Sequence, residues 1–357
     1  MKYISPLTKN SNTKVLFTQQ PLPIFQNKVF DSMEEAKKMS KLAVKLIQCL
    51  DTGFVFNGDF NMDILEYDEK YQNEQSNSAF FQQHLEMVYD LLKSKGLLDG
   101  KVLEIGSGKG YFMDLLLARG IDITGIDPTY EGDSELVIKD YYSEKYEYLK
   151  ADLIILRHTL EHIPQPLDFL QMIARSNNFK GYIYIEIPTF DWIVKNNAVE
   201  DIFYEHCNYF EPLTFRPLFE DVEIKYLFDG QYLGIIANLS SIREQINPVE
   251  KILDFDLKFE DKIIKYKDLL MKHNNLAIWG AGAKGSSFLN LVDPNMEYVK
   301  CVVDINPKKQ GKYIGGTGHP IINYIDLDKF NVDTILIMNP NYLSEIEKLT
   351  TKKLILI

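Results

Sequence analysis

Hydrophobic positions are unevenly patterned along the 357 residues. Residues 1–98 are the least periodic. They hold a polar loop at 8–12, a spacing that predicts a helix around 33–46, and a Tyr/Glu/Asn/Gln-rich stretch at 63–78. Phe80, Phe81, Leu85, Val88 and Leu92 then recur at mostly three- and four-residue steps, which predicts an amphipathic helix. Gly96 and Gly100 punctuate the chain before the next element. From Lys101 to about Asn238 short apolar runs alternate with helical patterns. Strands are predicted at 102–105, 121–126, 136–139, 153–156 and 182–187, and helices at 111–118 and 166–174. Runs at 222–228 and 232–237, split by Asp229-Gly230, predict a hairpin. A polar linker near 240–248 leads into a helical run over 252–272 and a second strand–glycine–helix unit from Leu276. Apolar strands at 299–303, 334–338 and 354–357 follow.

This alternation predicts an α/β protein whose central sheet is doubly wound and Rossmann-like, closed by a terminal antiparallel hairpin. A small N-terminal domain (1–75) precedes the central one (76–245), and a C-terminal Rossmann-like α/β domain (246–357) follows.

Composition narrows the class. An aromatic share of 12% and a hydrophobic share of 45% disfavour disorder. The net charge of -12, from 39 Lys+Arg against 51 Asp+Glu, repels phosphate backbones, so no nucleic-acid and no membrane partner is expected. No apolar run reaches membrane-spanning length, and the first twenty residues lack a signal-peptide core. Cys49, Cys207 and Cys301 lie far apart and make neither a disulfide framework nor a zinc quartet. The expectation is a cytoplasmic protein without a metal. Oligomeric state stays open.

Two glycine loops carry candidate chemistry. Val102-Leu103-Glu104-Ile105-Gly106-Ser107-Gly108-Lys109-Gly110-Tyr111 is a strand entering a G-x-G-x-G turn, with the acid Glu104 two residues before the first glycine. Glycines let the backbone approach a ligand. Asp127 closes the next strand, where an acid can accept both hydroxyls of a ribose. Asp140 and the pair Arg157-His158 follow the third and fourth strands. The second loop, Gly280-Ala281-Gly282-Ala283-Lys284-Gly285, has dinucleotide spacing, with Asp304 closing the strand after it. Histidines cluster in His158-Thr159-Leu160-Glu161-His162 and in Phe203-Tyr204-Glu205-His206, and a neutral His beside a carboxylate is a competent base.

The ordered acid and glycine series resembles the class I S-adenosylmethionine-dependent methyltransferases. The likeness implies that Glu104, Gly106, Ser107, Gly108 and Asp127 hold the cofactor S-adenosyl-L-methionine, with Asp140, Arg157 and His158 framing it. Tyr204-Glu205-His206 with Tyr209-Phe210, the second glycine loop and Val303-Asp304-Ile305-Asn306-Pro307 resemble the nucleotide-sugar C-methyltransferases of deoxysugar pathways. That likeness covers roughly residues 65 to 340. It implies a nucleotide-linked 4-keto-deoxysugar bound between the last two domains. A His206/Glu205 base, with Tyr204 and His162, would remove the proton beside the ketone. Tyr71 and Ser76 would belong to a segment folding over the cofactor, and Lys284 and Tyr209 would meet the substrate.

The chain departs from that pattern in three places. Phe203 stands where the family has the tyrosine of Tyr-x-Glu-His, and His158 stands for the asparagine of Asn-x-x-x-His. Cys49-Leu50-Asp51-Thr52-Gly53 keeps one cysteine of a zinc knuckle, which implies a degenerate, metal-free N-terminal domain. Carbon and oxygen acceptors therefore both stay open. Two other readings remain: an NAD(P)-binding oxidoreductase using the second loop, and a non-catalytic binding protein.

Overall fold

In the computed structural model, which describes residues 2–66, 68 and 70–357, the central sheet has seven strands. In chain order they are β1 (Val102–Ile105), β2 (Ile123–Ile126), β3 (Val137–Ile138), β4 (Leu153–Arg157), β5 (Tyr182–Pro188), β6 (Val222–Leu227) and β7 (Tyr232–Asn238). Their spatial order is β6-β7-β5-β4-β1-β2-β3. The first five run parallel, and β7 pairs antiparallel with both β5 and β6. Alternate residues face opposite sides, and both sides are covered. Leu103, Ile105, Ile154 and Leu156 pack with Leu167, Leu170 and Ile173 of helix α3 (Pro166–Ser176). Val102, Leu153 and Ile155 pack with Leu85, Val88 and Leu92 of α1 (Ala79–Ser94) and with Phe112, Met113 and Leu116 of α2 (Tyr111–Leu117). Burying each such side chain is worth about 1.5–3 kcal/mol, more than the helix-propensity differences among ordinary residues, so packing decides where the helices sit.

The C-terminal sheet is wholly parallel, with β8 (Leu276–Trp279), β9 (Val299–Val303), β10 (Ile321–Ile322), β11 (Thr334–Ile337) and β12 (Lys353–Leu356) in the order β10-β9-β8-β11-β12. Helices α4 (Phe259–Met271) and α5 (Ala283–Val292) pack on it through Tyr266, Leu270, Phe288 and Leu289. A third sheet orders Thr13–Thr18, Lys45–Cys49, Val55–Asn57 and Asn208–Tyr209, so a strand just after His206 completes an N-terminal sheet. Val29–Phe30 pairs in turn with Tyr313–Ile314. Among the described residues no helix is long and apolar enough to cross a membrane. Tyr67 and Glu69 of the polar stretch lie outside the described residues.

Two predicted helices are shorter than expected. The one around 33–46 stops at Lys37, and Lys45–Cys49 is a strand. Val44, Leu46, Ile47 and Cys49 are all fully buried, and a short apolar run covered on both sides does not reveal its period. The run over 252–272 becomes helical only at Phe259. Before that, the Gln48 side-chain amide donates to the Leu253 carbonyl (2.8 Å) and Val249 N–H to the Asp51 carbonyl (2.8 Å), tying this segment to the N-terminal sheet.

Candidate active site

β1 ends in a turn where Gly106, Gly108 and Gly110 have φ of 78°, 56° and 85°, the left-handed region that glycine enters without a Cβ penalty. Asp127, at the end of β2, holds this turn. Its Oδ2 accepts from Gly108 N–H (2.7 Å), and its Oδ1 accepts from the Thr129 amide and hydroxyl (2.7 Å each). Space beside Gly108 is open. Burial pushes the Glu104 carboxyl up to about 8, against the pull of Arg157 and with added repulsion from Asp127 and Glu186. Among the described residues, neither Glu104 Oε2 nor Ser107 Oγ has a hydrogen-bond partner.

The switch point of the sheet lies between β1 and β4, and open α/β sheets bind ligands there. Arg157 closes β4 and donates to Glu186 Oε1 (2.8 Å) on β5. The same carboxylate meets His84 Nε2 (3.0 Å), His158 Nε2 (3.2 Å) and the Tyr184 hydroxyl (2.7 Å). Burial alone would raise the Glu186 pKa, but Arg157, His84 and His158 hold it well below the usual carboxylate range. Burial likewise disfavours a charged His158, yet Glu161 and Glu186 outweigh it and raise that imidazole to about 9. His158 also sits at φ 49°, a conformation a histidine keeps only when its surroundings insist, as the bond from its N–H to the Glu186 carbonyl (2.8 Å) does here. Glu186 and His84 escaped the sequence reading. The available signal was an acid inside the apolar run Tyr182-Ile183-Tyr184-Ile185-Glu186-Ile187, since a buried charge needs partners.

One cavity of about 1050 Å³ joins these residues to the C-terminal sheet. Tyr71, Ser76, Glu104, Gly106, Ser107, Gly108, Asp127, Asp140, Arg157, His158, His162, His206 and Lys284 all line it. Tyr71 meets Phe25 edge-on (6.1 Å), and the Ser76 hydroxyl donates to Glu74 (2.6 Å). Lys145 and the Tyr146 hydroxyl pull Asp140 down to about 2. Opposite, Gly280, Gly282 and Met338 border the cavity at the C-terminal sheet's own switch point, between β8 and β11. Ala281 N–H donates to Asp304 Oδ2 (2.8 Å), repeating the Gly108–Asp127 arrangement. Gly285 serves packing rather than a ligand, because a Cβ there would lie 2.0 Å from the Gly280 carbonyl oxygen. Lys284 pairs with Asp201 and lies 4.4 Å over the Trp192 ring.

The turn Leu160–His162 brings His162 against His206, ring centroids 4.9 Å apart at 81°. His162 Nδ1 meets the Glu205 carbonyl (2.9 Å), and the Phe203 ring lies 4.1 Å from His206, tilted by 48°. Burial, with His162 and His158 nearby, pushes His206 well below the usual imidazole range. Three expected site residues are not among those lining the cavity. Glu205 is fully buried, and its Oε2 accepts from Gln26 N–H (2.9 Å). The Tyr204 hydroxyl accepts from Asn61 N–H (2.8 Å), under the N-terminal sheet. The Tyr209 hydroxyl bonds the Phe203 backbone at 3.1 and 3.3 Å, because strand pairing at 208–209 turns it inward. The carboxylate that does reach the His162–His206 pair is Glu161, with ligand atoms of all three within 4.8 Å of one another.

Residues 77–227 match the methyltransferase domain family, and residues 252–354 match the C-methyltransferase C-terminal domain family. The chain is a class I S-adenosylmethionine-dependent methyltransferase. The C-methyltransferase NovU of Streptomyces niveus is 24% identical over 77% of this methyltransferase and 75% of its own length. A ubiquinone biosynthesis O-methyltransferase of Actinobacillus pleuropneumoniae is 32% identical over 24% of the chain and 45% of its own length. A solved SAM-dependent methyltransferase from Archaeoglobus fulgidus aligns at 20% identity over 45% of this chain and 99% of its own, with a TM-score of 0.35. The cofactor is S-adenosylmethionine, and the methyltransferase site fits it. Burial keeps the Glu104 carboxyl protonated near neutral pH despite Arg157, and the ammonium of a methionine group would add a second cation beside it.

Proposed function

We propose that this methyltransferase acts on a nucleotide-linked sugar, with His206 as the proton acceptor. One observation carries the reading: a single cavity is bordered by the switch points of both α/β sheets, with the histidine pair lining it too. Glu104, Ser107, Gly108 and Asp127 would hold the cofactor, whose sulfonium supplies an electrophilic methyl. Arg157, bonded to Glu186 across β4 and β5, would frame the cofactor, and Asp140, Tyr71 and Ser76 would border the adenosine and methionine ends. The C-terminal wall, with Lys284 and the amides of the Gly280 loop, would receive the diphosphate. Residues 76–245 would thus form the transfer unit, 246–357 the substrate wall, and 1–75 a metal-free support.

A carbon or hydroxyl acceptor is a poor nucleophile until it loses a proton. His206, neutral at pH 7, has the lone pair to take it. Glu161 lies within reach of the imidazolium that results. Phe203 offers no hydroxyl to donate or accept a proton. NovU is named as a C-methyltransferase, which favours carbon as acceptor here.

Methyl transfer from labelled cofactor to nucleoside-diphosphate 4-keto-deoxysugars tests the reading, with the product's methyl position read by NMR. His206→Ala should lower kcat by about 10²–10⁴-fold, the usual weight of a general base. Turnover within threefold of wild type would remove His206 from the role. Asp127→Ala should weaken S-adenosylhomocysteine binding in calorimetry, and unchanged affinity would overturn the cofactor assignment.

A further inference from the structure

The trio Glu161, His162 and His206 has a property that the base assignment does not use. Each residue offers one ligand atom within 4.8 Å of the other two, and all three line the cavity. Glu161 is 2% exposed, and among the described residues neither of its carboxylate oxygens has a hydrogen-bond partner. Among the described residues its one ion-pair contact is His158 Nδ1, at 3.7 Å from Oε1. A buried carboxylate held only by that long contact, with no hydrogen bond, is costly unless something else arrives to bind it.

His162 is oriented for ligation. A carbonyl only accepts, so the 2.9 Å contact with the Glu205 carbonyl makes His162 Nδ1 the N–H bearer. In the neutral ring that leaves a lone pair on Nε2. Metal-bound histidines are ordinarily fixed in this way, with the far N–H given to a carbonyl or carboxylate. The His206 ring meets His162 nearly perpendicular and is backed by Phe203 at 4.1 Å. Bonds of about 2.0–2.1 Å to zinc set tetrahedral ligand atoms roughly 3.3 Å apart. Small rotations of the side chains would close the present spacing.

We infer that Glu161, His162 and His206 form a binding site for a divalent first-row transition metal ion, zinc foremost, whose open coordination position faces the acceptor end of the cavity. Two imidazoles and one carboxylate suit such ions, and the all-oxygen sets preferred by magnesium or calcium are absent from the trio. Thiols take no part, which separates this site from the zinc knuckle that Cys49 resembles. Occupancy takes the His206 lone pair. Resting on the proposed base, the ion therefore inhibits methyl transfer reversibly.

The test uses untagged full-length protein stripped with a chelator. Zinc titrated calorimetrically should bind one ion per chain, and Glu161→Gln and His162→Gln should each weaken binding at least tenfold while melting like wild type. Cobalt should give the d–d bands of nitrogen and oxygen ligands. Absence of stoichiometric binding, affinity unchanged in both variants, or a thiolate-to-cobalt charge-transfer band would each overturn the site. Zinc should slow methyl transfer over the concentration range in which it binds, and chelator should restore the rate. Binding without inhibition would keep the site and refute His206 as base, whereas loss of the site leaves the methyl-transfer reading standing.

Discussion

At the scale of single residues, burial gives Glu104 an unusual role. Its carboxyl titrates near 8 in the folded chain against an ordinary value near 4.5, so the folded state keeps a proton that the unfolded state has lost. Between those values stability must fall as pH rises, and above about 8 the slope from this group vanishes. Glu104→Gln should flatten the decline in melting temperature between pH 5 and 8 in the ligand-free protein. The same change should weaken S-adenosylhomocysteine binding, separating a stability cost from a ligand function. A decline as steep in the variant as in wild type would show that other groups cause it. Glu104 and Asp127 were legible from the sequence because strand ends and glycine turns mark them. Glu186, Glu161 and His84 were harder to see, because their importance comes from partners distant in the chain, as His84 shows by reaching Glu186 across 102 positions.

At the scale of elements, the strand–turn–helix units behave as their periodicity implies, and the errors fall where one run of apolar residues serves two neighbours. In the strand Lys45–Cys49, Leu46 packs into one core and Ile47 and Cys49 into another, so both faces are buried and the period of two is hidden. The second glycine loop shows how one element depends on close packing. Gly285→Ala would drive a Cβ into the Gly280 carbonyl and should cost about 3 kcal/mol or more, since backbone cannot yield as a side chain can. A chemical denaturation midpoint within error of wild type would contradict this. Ser78 caps α1 by accepting from Phe81 N–H (3.3 Å), while its hydroxyl donates to Glu345 (2.7 Å). Ser78→Ala should therefore cost roughly 0.5–2 kcal/mol, the usual price of a lost cap, measured by the same unfolding experiment.

At the scale of the whole molecule, the cavity is closed by contacts between parts distant in sequence. Glu131 meets Lys109 (3.0 Å) from the first glycine turn and Lys308 (3.2 Å) from the turn that follows β9. Gln75 accepts from the Tyr342 hydroxyl (3.0 Å), joining the strap before α1 to the same wall. Exposed ion pairs add little stability, so Glu131→Gln should leave the unfolding free energy within about 0.5 kcal/mol of wild type. Its effect should appear as faster release of S-adenosylhomocysteine in stopped flow, more evident at low salt. An unchanged release rate would exclude the pair as a closure contact.

By itself the sequence determined the two α/β sheets, the glycine turns, the acids that follow them and the class of chemistry, because all of these are local patterns of spacing and strand-end residues. Only the tertiary structure decided that both switch points open onto one cavity, that Tyr204, Glu205 and Tyr209 turn away from it, and that Glu161 stands with His162 and His206. The physical reason is the pairing of Asn208–Tyr209 with Val55–Asn57, a long-range register that fixes which side chains of residues 203–210 face the ligand and which face the core.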